Sequence, residues 1–193
     1  MKTFLLLFIL IVSIFTSNAQ EVSKKHKLRI SPSVSFNGTG DILLSGLSGQ
    51  YNHSITANFS LLSRAMMAQG TQTESSGDFT SNQIKSLEIG LDFKSKASSF
   101  NWIGLELGLS ILSSMLIEGN AYTKIIDDQN SRPYGGGFGN TTIFKDQSVG
   151  FFTGLNFRLI QKEHFQSGLS LRMQRHINGD VINTLGLFCG ARF

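Results

Sequence analysis

The sequence predicts an all-β fold, an eight-stranded antiparallel up-and-down transmembrane β-barrel. Three observations carry that expectation. Apolar residues alternate with polar residues or glycine over long runs, as in Leu87-Glu88-Ile89-Gly90-Leu91-Asp92-Phe93-Lys94. That is the period of a strand, and helical spacing would break it within about four residues. Short polar turns and long connections separate the runs, and the apolar face carries no charge on the five best-defined strands.

The first residues stand apart from this pattern. Lys2 gives a positive start, Phe4 to Phe15 is almost wholly apolar, and Ser17-Asn18-Ala19 precedes Gln20. That order is the one of a secretory signal cut after Ala19. A spanning helix would need about 20 apolar residues to cross roughly 30 Å of hydrocarbon, and this run is too short. The expected organisation is therefore a cleaved signal peptide at 1–19, exported by a Sec-type route, and one barrel domain at 20–193. Cys189 is the only cysteine, so no disulfide forms within the chain and no lipidated cysteine stands at the cut.

Strands are expected near 27–37, 41–51, 56–66, 82–94, 100–117, 147–160, 164–176 and 181–193. Leu28 to Phe36, Ile103 to Ile111, Phe165 to Met173 and Leu185 to Phe193 repeat the alternation. The stretch 41–51 alternates poorly, which leaves seven strands as the alternative; single-chain bacterial barrels favour an even count. Asn37-Gly38 and Asn178-Gly179 read as hairpin signals, because both residue types tolerate positive φ. Residues 52–55, 95–99 and 161–163 read as short turns, whereas 68–81 and 119–145 read as long loops. Twenty glycines, sixteen phenylalanines and two prolines suit such a chain.

Parity sharpens the last hairpin. If odd residues face outward on both flanking strands, paired residue numbers must sum to an even number. A two-residue Asn178-Gly179 loop would make the sum odd and set Met173 opposite Thr184. A three-residue loop, Ile177-Asn178-Gly179 with Gly179 left-handed, or a five-residue one, restores the match.

Alternation alone does not say which face points inward. Soluble ligand-carrying barrels have a polar exterior, and membrane barrels the reverse. Counting back from the C-terminus puts the short turns on one side and the long loops on the other, the outer-membrane arrangement. The ending Gly190-Ala191-Arg192-Phe193, with Leu185, Leu187, Cys189 and Ala191 at alternate positions, resembles the outer-membrane β-barrel family of Gram-negative bacteria, in particular the small eight-stranded barrels of Bacteroidota. The resemblance implies residence in the cell outer membrane, contact with its lipid, and recognition of Phe193 by the barrel-assembly machinery. It names no task.

If Phe193 faces lipid, even-numbered residues of the better strands face the lumen: Glu88, Asp92, Glu106, Arg158, Arg172 and Arg192, with Arg29 and Arg64 on earlier strands. Asp92, Arg158, Arg192 and Arg29 lie low; Glu88, Glu106 and Arg172 lie near mid-height, so each layer holds both signs. Lone buried charges cost several kcal/mol, so mutual pairing is expected, and an eight-stranded lumen is only wide enough for its side chains. A charge-filled, closed interior is the expectation, with a narrow porin-like channel as the alternative.

Other chemistry finds little support. Arg175-His176-Ile177-Asn178 faintly resembles the motif of lipid A-deacylating barrels, but Asn178 stands where a nucleophilic serine belongs, so an enzyme is the weaker alternative. His26, His53, His164 and His176 are scattered and read as solvated, with no metal site. The glycine-rich run around Arg132, Tyr134 and Phe138 lacks a phosphate-loop lysine and reads as an external contact surface for an unknown ligand or partner. The net charge of +4 is spread along the chain, which disfavours nucleic acid. No cofactor is expected. Trp102, Tyr51, Phe100 and Phe165 read as an interfacial girdle at the short-turn end.

Overall fold

The computed structural model describes residues 26–38, 42–73, 78–94, 102–120 and 141–193. The expected signal peptide at 1–19, the turn at 95–99 and Phe100 lie outside the described residues. Eight strands follow in order: β1 (His26–Asn37), β2 (Leu43–Ser54), β3 (Phe59–Thr73), β4 (Asp78–Lys94), β5 (Ile103–Asn120), β6 (Thr141–Gln161), β7 (Phe165–His176) and β8 (Val181–Arg192). Each pairs antiparallel with the next, and β8 pairs with β1, closing the barrel. Closure leaves no sheet edge and satisfies the backbone internally, which a lipid surround requires.

The two faces sort as the alternation predicts. Leu87, Ile89 and Leu109 on the exterior are 61%, 65% and 72% exposed, while Glu88 and Ser110 between them are 1% exposed. The exterior is an apolar surface and the interior is polar over most of its height, so this is a transmembrane barrel. Outward-facing charges on the described strands are Lys85, Lys145 and Arg175, all toward the end that holds the β3–β4 and β5–β6 connections. That end is called upper here, and the end holding β2–β3, β6–β7 and the last residue is called lower.

β2 is a regular strand after all, paired on both sides. Its alternation is obscured because Leu44 points inward while Ser45 and Gly49 point outward. The Asn37-Gly38 signal falls where the β1–β2 hairpin turns. Gly38 continues the ladder by donating its N–H to Val181 O at 2.7 Å, and the connection falls between Asn37 and Leu43. The lower β2–β3 turn shifts, closed by Ile55 and Thr56 N–H groups on Phe59 O.

The expected long loop at 68–81 is also corrected: Ala68 to Thr73 pairs with Phe79 to Ile84. β5 and β6 likewise run on to Asn120 and back from Thr141, so the 119–145 loop shrinks to 121–140, outside the described residues. Four central strands thus rise as a tall wall above the 12-residue strands β1, β2, β7 and β8. Period-2 hydrophobicity fades on that wall because neither face meets lipid there.

The last hairpin follows parity. Arg175 pairs with Val181 and Met173 with Asn183, sums that are even. His176 N–H bonds Asp180 O at 2.9 Å around Ile177-Asn178-Gly179, and Gly179 holds φ +96°. A bulge between Arg158 and Ile160 turns Leu159 and Ile160 outward together, at 66% and 48% exposure.

Candidate functional site: a layered lumen

Mid-height is occupied by an ion network on β1, β3, β4, β5 and β7. Glu106 is its centre. Its Oε2 accepts from Arg64 Nη2 at 3.0 Å and from Arg172 Nη2, and Arg29 Nη1 stands 3.5 Å from Oε1. Glu88 Oε2 is held by Arg64 Nη1 at 3.1 Å and Arg172 Nη1 at 3.4 Å. Gln50 donates to Glu106 Oε1 at 2.8 Å and Gln174 to Glu88 Oε1 at 2.7 Å. The side chains of Glu88, Asp92 and Glu106 are fully buried. Carboxylates so desolvated need several donors each, and these have them.

The arginines also lean on aromatic rings. Arg172 lies 5.4 Å from the Phe152 centroid and Arg29 4.9 Å from Phe188. Phe152 fits because Gly90 and Gly108 face it: a Cβ on either would stand 2.8 or 2.6 Å from its ring. Glycine is required at that close approach. The void left among Arg29, Gln50, Arg64 and Arg172 is about 10 Å³, no more than one water needs.

Below the network, Asp92 is the one carboxylate inside the lumen among the described residues. Arg29 and Arg158 each stand 3.8 Å from it and Asn52 donates at 3.2 Å. Two further cations line this level, Lys27 and Lys94, both electrostatic neighbours of Asp92 and Arg29. Arg192 is corrected: among the described residues it joins no ion pair, its Nε lacks a hydrogen-bond partner, and its charged neighbours are the like-charged Arg29 and Arg158. Mutual pairing fails there because cations outnumber the carboxylates.

Above the network the lumen turns apolar. Ile42, Leu44, Met66, Ala68, Ile84, Leu112 and Ile182 form one buried cluster, with Leu116 packed against it. A purely polar inward face was expected, so this collar is a second correction. Several members adjoin an inward polar residue on their own strand, as Met66 follows Arg64 and Ile84 precedes Ser86.

Over the collar opens a vestibule of about 340 Å³, lined among others by Asn82, Glu118, Phe144, Asp146 and Asp180. Asn178 Nδ2 bridges Asp146 at 2.5 Å and Asp180 at 2.8 Å. Asn82 is 5% exposed and its Oδ1 has no hydrogen-bond partner. Among the described residues, the mouth is acidic.

The histidines divide. His176 is corrected from solvated to buried, 3% exposed and 3.3 Å from Gln174 Oε1. His26 stacks on Tyr51 and Phe193 and bonds Tyr51 Oη at 2.6 Å, with the His53 ring 5.0 Å away, whereas His164 is exposed. Trp102 packs on Phe157 at 5.8 Å, and with Tyr51 and Phe165 it is exposed at the lower rim. Phe193 faces outward at 60% exposure, and its backbone exchanges two hydrogen bonds with His26, so closure reaches the last residue. Arg132, Tyr134 and Phe138 lie outside the described residues.

No family model matches the chain, and no curated protein sequence matches it. Solved structures do. Ail, the attachment invasion locus protein of Yersinia pestis, superposes with a TM-score of 0.59 at 15% identity, over 89% of this chain and all of that one. The same protein in complex with the heparin analogue sucrose octasulfate gives 0.57 at 13%, over 88% and 97%. Neisserial surface protein A gives 0.50 at 11%, over 87% and 96%. At such identities the likeness establishes the fold: that of the small eight-stranded outer-membrane β-barrels.

Proposed function

We propose that this chain is a non-enzymatic outer-membrane barrel with a closed lumen, serving a structural or surface-interaction role through its upper wall. The observation that carries the reading is the double seal, an ion network capped by an apolar collar, which leaves the rising wall and vestibule as the surface turned to the outside. A narrow channel is disfavoured by the same seal, since a solute would have to displace buried Arg–carboxylate pairs. Lipid A modification lacks a serine at Asn178. Phe193, outward and last, suits recognition by the barrel-assembly machinery after Sec-type export, and Lys85, Lys145 and Arg175 suit anionic headgroups on the upper leaflet.

Ail carries a heparin analogue in one of its structures. The vestibule of this chain has the opposite preference, because Glu118, Asp146 and Asp180 repel polysulfates. Its recognition surface suits a cationic partner. The probe is a fluorescent lysine pentamer added to the barrel in zwitterionic nanodiscs at low salt. Saturable retention that falls at least fivefold in Asp146→Asn/Asp180→Asn supports the reading. Absent retention, or retention indifferent to those changes, overturns it. A lipid A mass spectrum altered by expressing the protein would overturn the non-enzymatic part.

A further inference from the structure

Among the described residues, the lower mouth is short of negative charge. Lys27 is 1% exposed, and among the described residues its Nζ has no acceptor, only the like-charged Lys94 amine beside it. Around it stand Lys94 and Arg29, both like-charged, and Asp92. Asp92 is already engaged by Arg29, Arg158 and Asn52. Gln166 Nε2, in a side chain 2% exposed, and Arg192 Nε also lack partners. Register sets these groups side by side: Gln166 opposes Gly190 on β8, and Arg192, two residues on, opposes Lys27 on β1. Gly190 offers no side chain between them, and a Cβ there would meet Arg29 Cγ at 2.8 Å.

Lys27 Nζ, Gln166 Nε2 and Arg192 Nε are donors, and the one unsatisfied acceptor beside them, Asp92 Oδ1, has the Arg158 guanidinium 3.8 Å away. Leaving the Lys27 amine out of water beside like charges, with no carboxylate of its own, is costly, and an amide donor left unpaired adds to it. A compact group with several anionic oxygens removes both costs at once. Lys94 and Arg192 are only partly buried, so such a group has an approach from below.

We propose that the lower mouth of the lumen is a binding site for a polyvalent oxyanion of the phosphate class, held by Lys27, Lys94, Arg192 and the amide of Gln166. The site lies at the end opposite the vestibule and stands whether or not the surface role does. In the orientation proposed above it opens to the periplasm.

Calorimetric titration of pyrophosphate into the barrel in zwitterionic nanodiscs at low salt tests it. Saturable binding is expected, weakened tenfold or more by Lys27→Met and by Gln166→Ala and unchanged by Lys85→Ala on the outer wall. Lys27→Met removes an unpartnered charge and keeps the bulk, so folding is expected to survive, checked by retained heat-modifiable migration on gels. Nanodiscs containing phosphatidic acid distinguish the source: a lipid phosphate in the site competes with pyrophosphate, whereas free phosphate as the ligand leaves the titration unaltered. Either result keeps the site. No saturable binding, an affinity indifferent to Lys27→Met, or equal affinity for citrate overturns the assignment.

Discussion

Replacing Glu106 by glutamine is expected to destabilise the barrel by about 3–5 kcal/mol, the cost of removing one partner from a buried ion cluster. Glu106 touches three arginines, Arg29, Arg64 and Arg172, and its side chain is fully buried. The amide keeps the shape and one acceptor oxygen, so the loss reports charge rather than volume. Arg64 and Arg172 would retain only Glu88, and Arg29 only Asp92. Urea unfolding from lipid vesicles, followed through the single Trp102 at the lower rim, gives the difference. Pairing E106Q with Arg64→Gln should cost less than the two changes summed, since the second removes a charge the first has stranded. A loss under about 1 kcal/mol would mean that the arginines are solvated.

Leu112→Ala is expected to cost about 2–5 kcal/mol, as for other large-to-small changes in packed interiors. Leu112 is 1% exposed within the collar, against 57% for its neighbour Ile111 on the lipid side. The spread depends on how far Leu44, Met66 and Ile84 close the gap. Leu112→Asn should also destabilise, because it sets an amide into the apolar collar with only the Ser86 and Ser148 hydroxyls opposite it. The same vesicle unfolding assay reads both, and equal midpoints for Leu112→Ala and the parent would remove the collar as a packed layer.

The strands were legible wherever one face meets lipid and the other a polar lumen. Leu87 to Lys94 and Leu185 to Phe193 needed nothing more than their alternation. Parity narrowed the last loop to three residues, Ile177-Asn178-Gly179, or five, and gave the inward side of Arg172 and Glu106. Legibility failed where that contrast fails. On the wall, Gln69 to Thr73 and Asp78 to Ser81 have water on both sides, so polar residues follow one another and imitate a loop. In the collar, inward leucines sit beside outward ones, as in Leu43-Leu44 and Ile111-Leu112, and the doublets read as broken alternation. Lys27 was hidden by its neighbours: the basic run Lys24-Lys25-His26-Lys27 shows no alternation, although parity with Arg29 turns Lys27 inward. Pairing among the charges was expected in outline. That Glu106 would gather three arginines while Arg192 went without a carboxylate depends on register, which no single strand reveals.

The closed lumen is the claim on which the rest depends, and planar-bilayer recording tests it most directly. The protein is expected to show no steady conductance, because the ion network leaves a void of about 10 Å³ beneath an apolar collar. A stable open conductance that Arg172→Ala or Glu106→Ala abolishes would contradict it, and would make those charges a pathway instead of a plug.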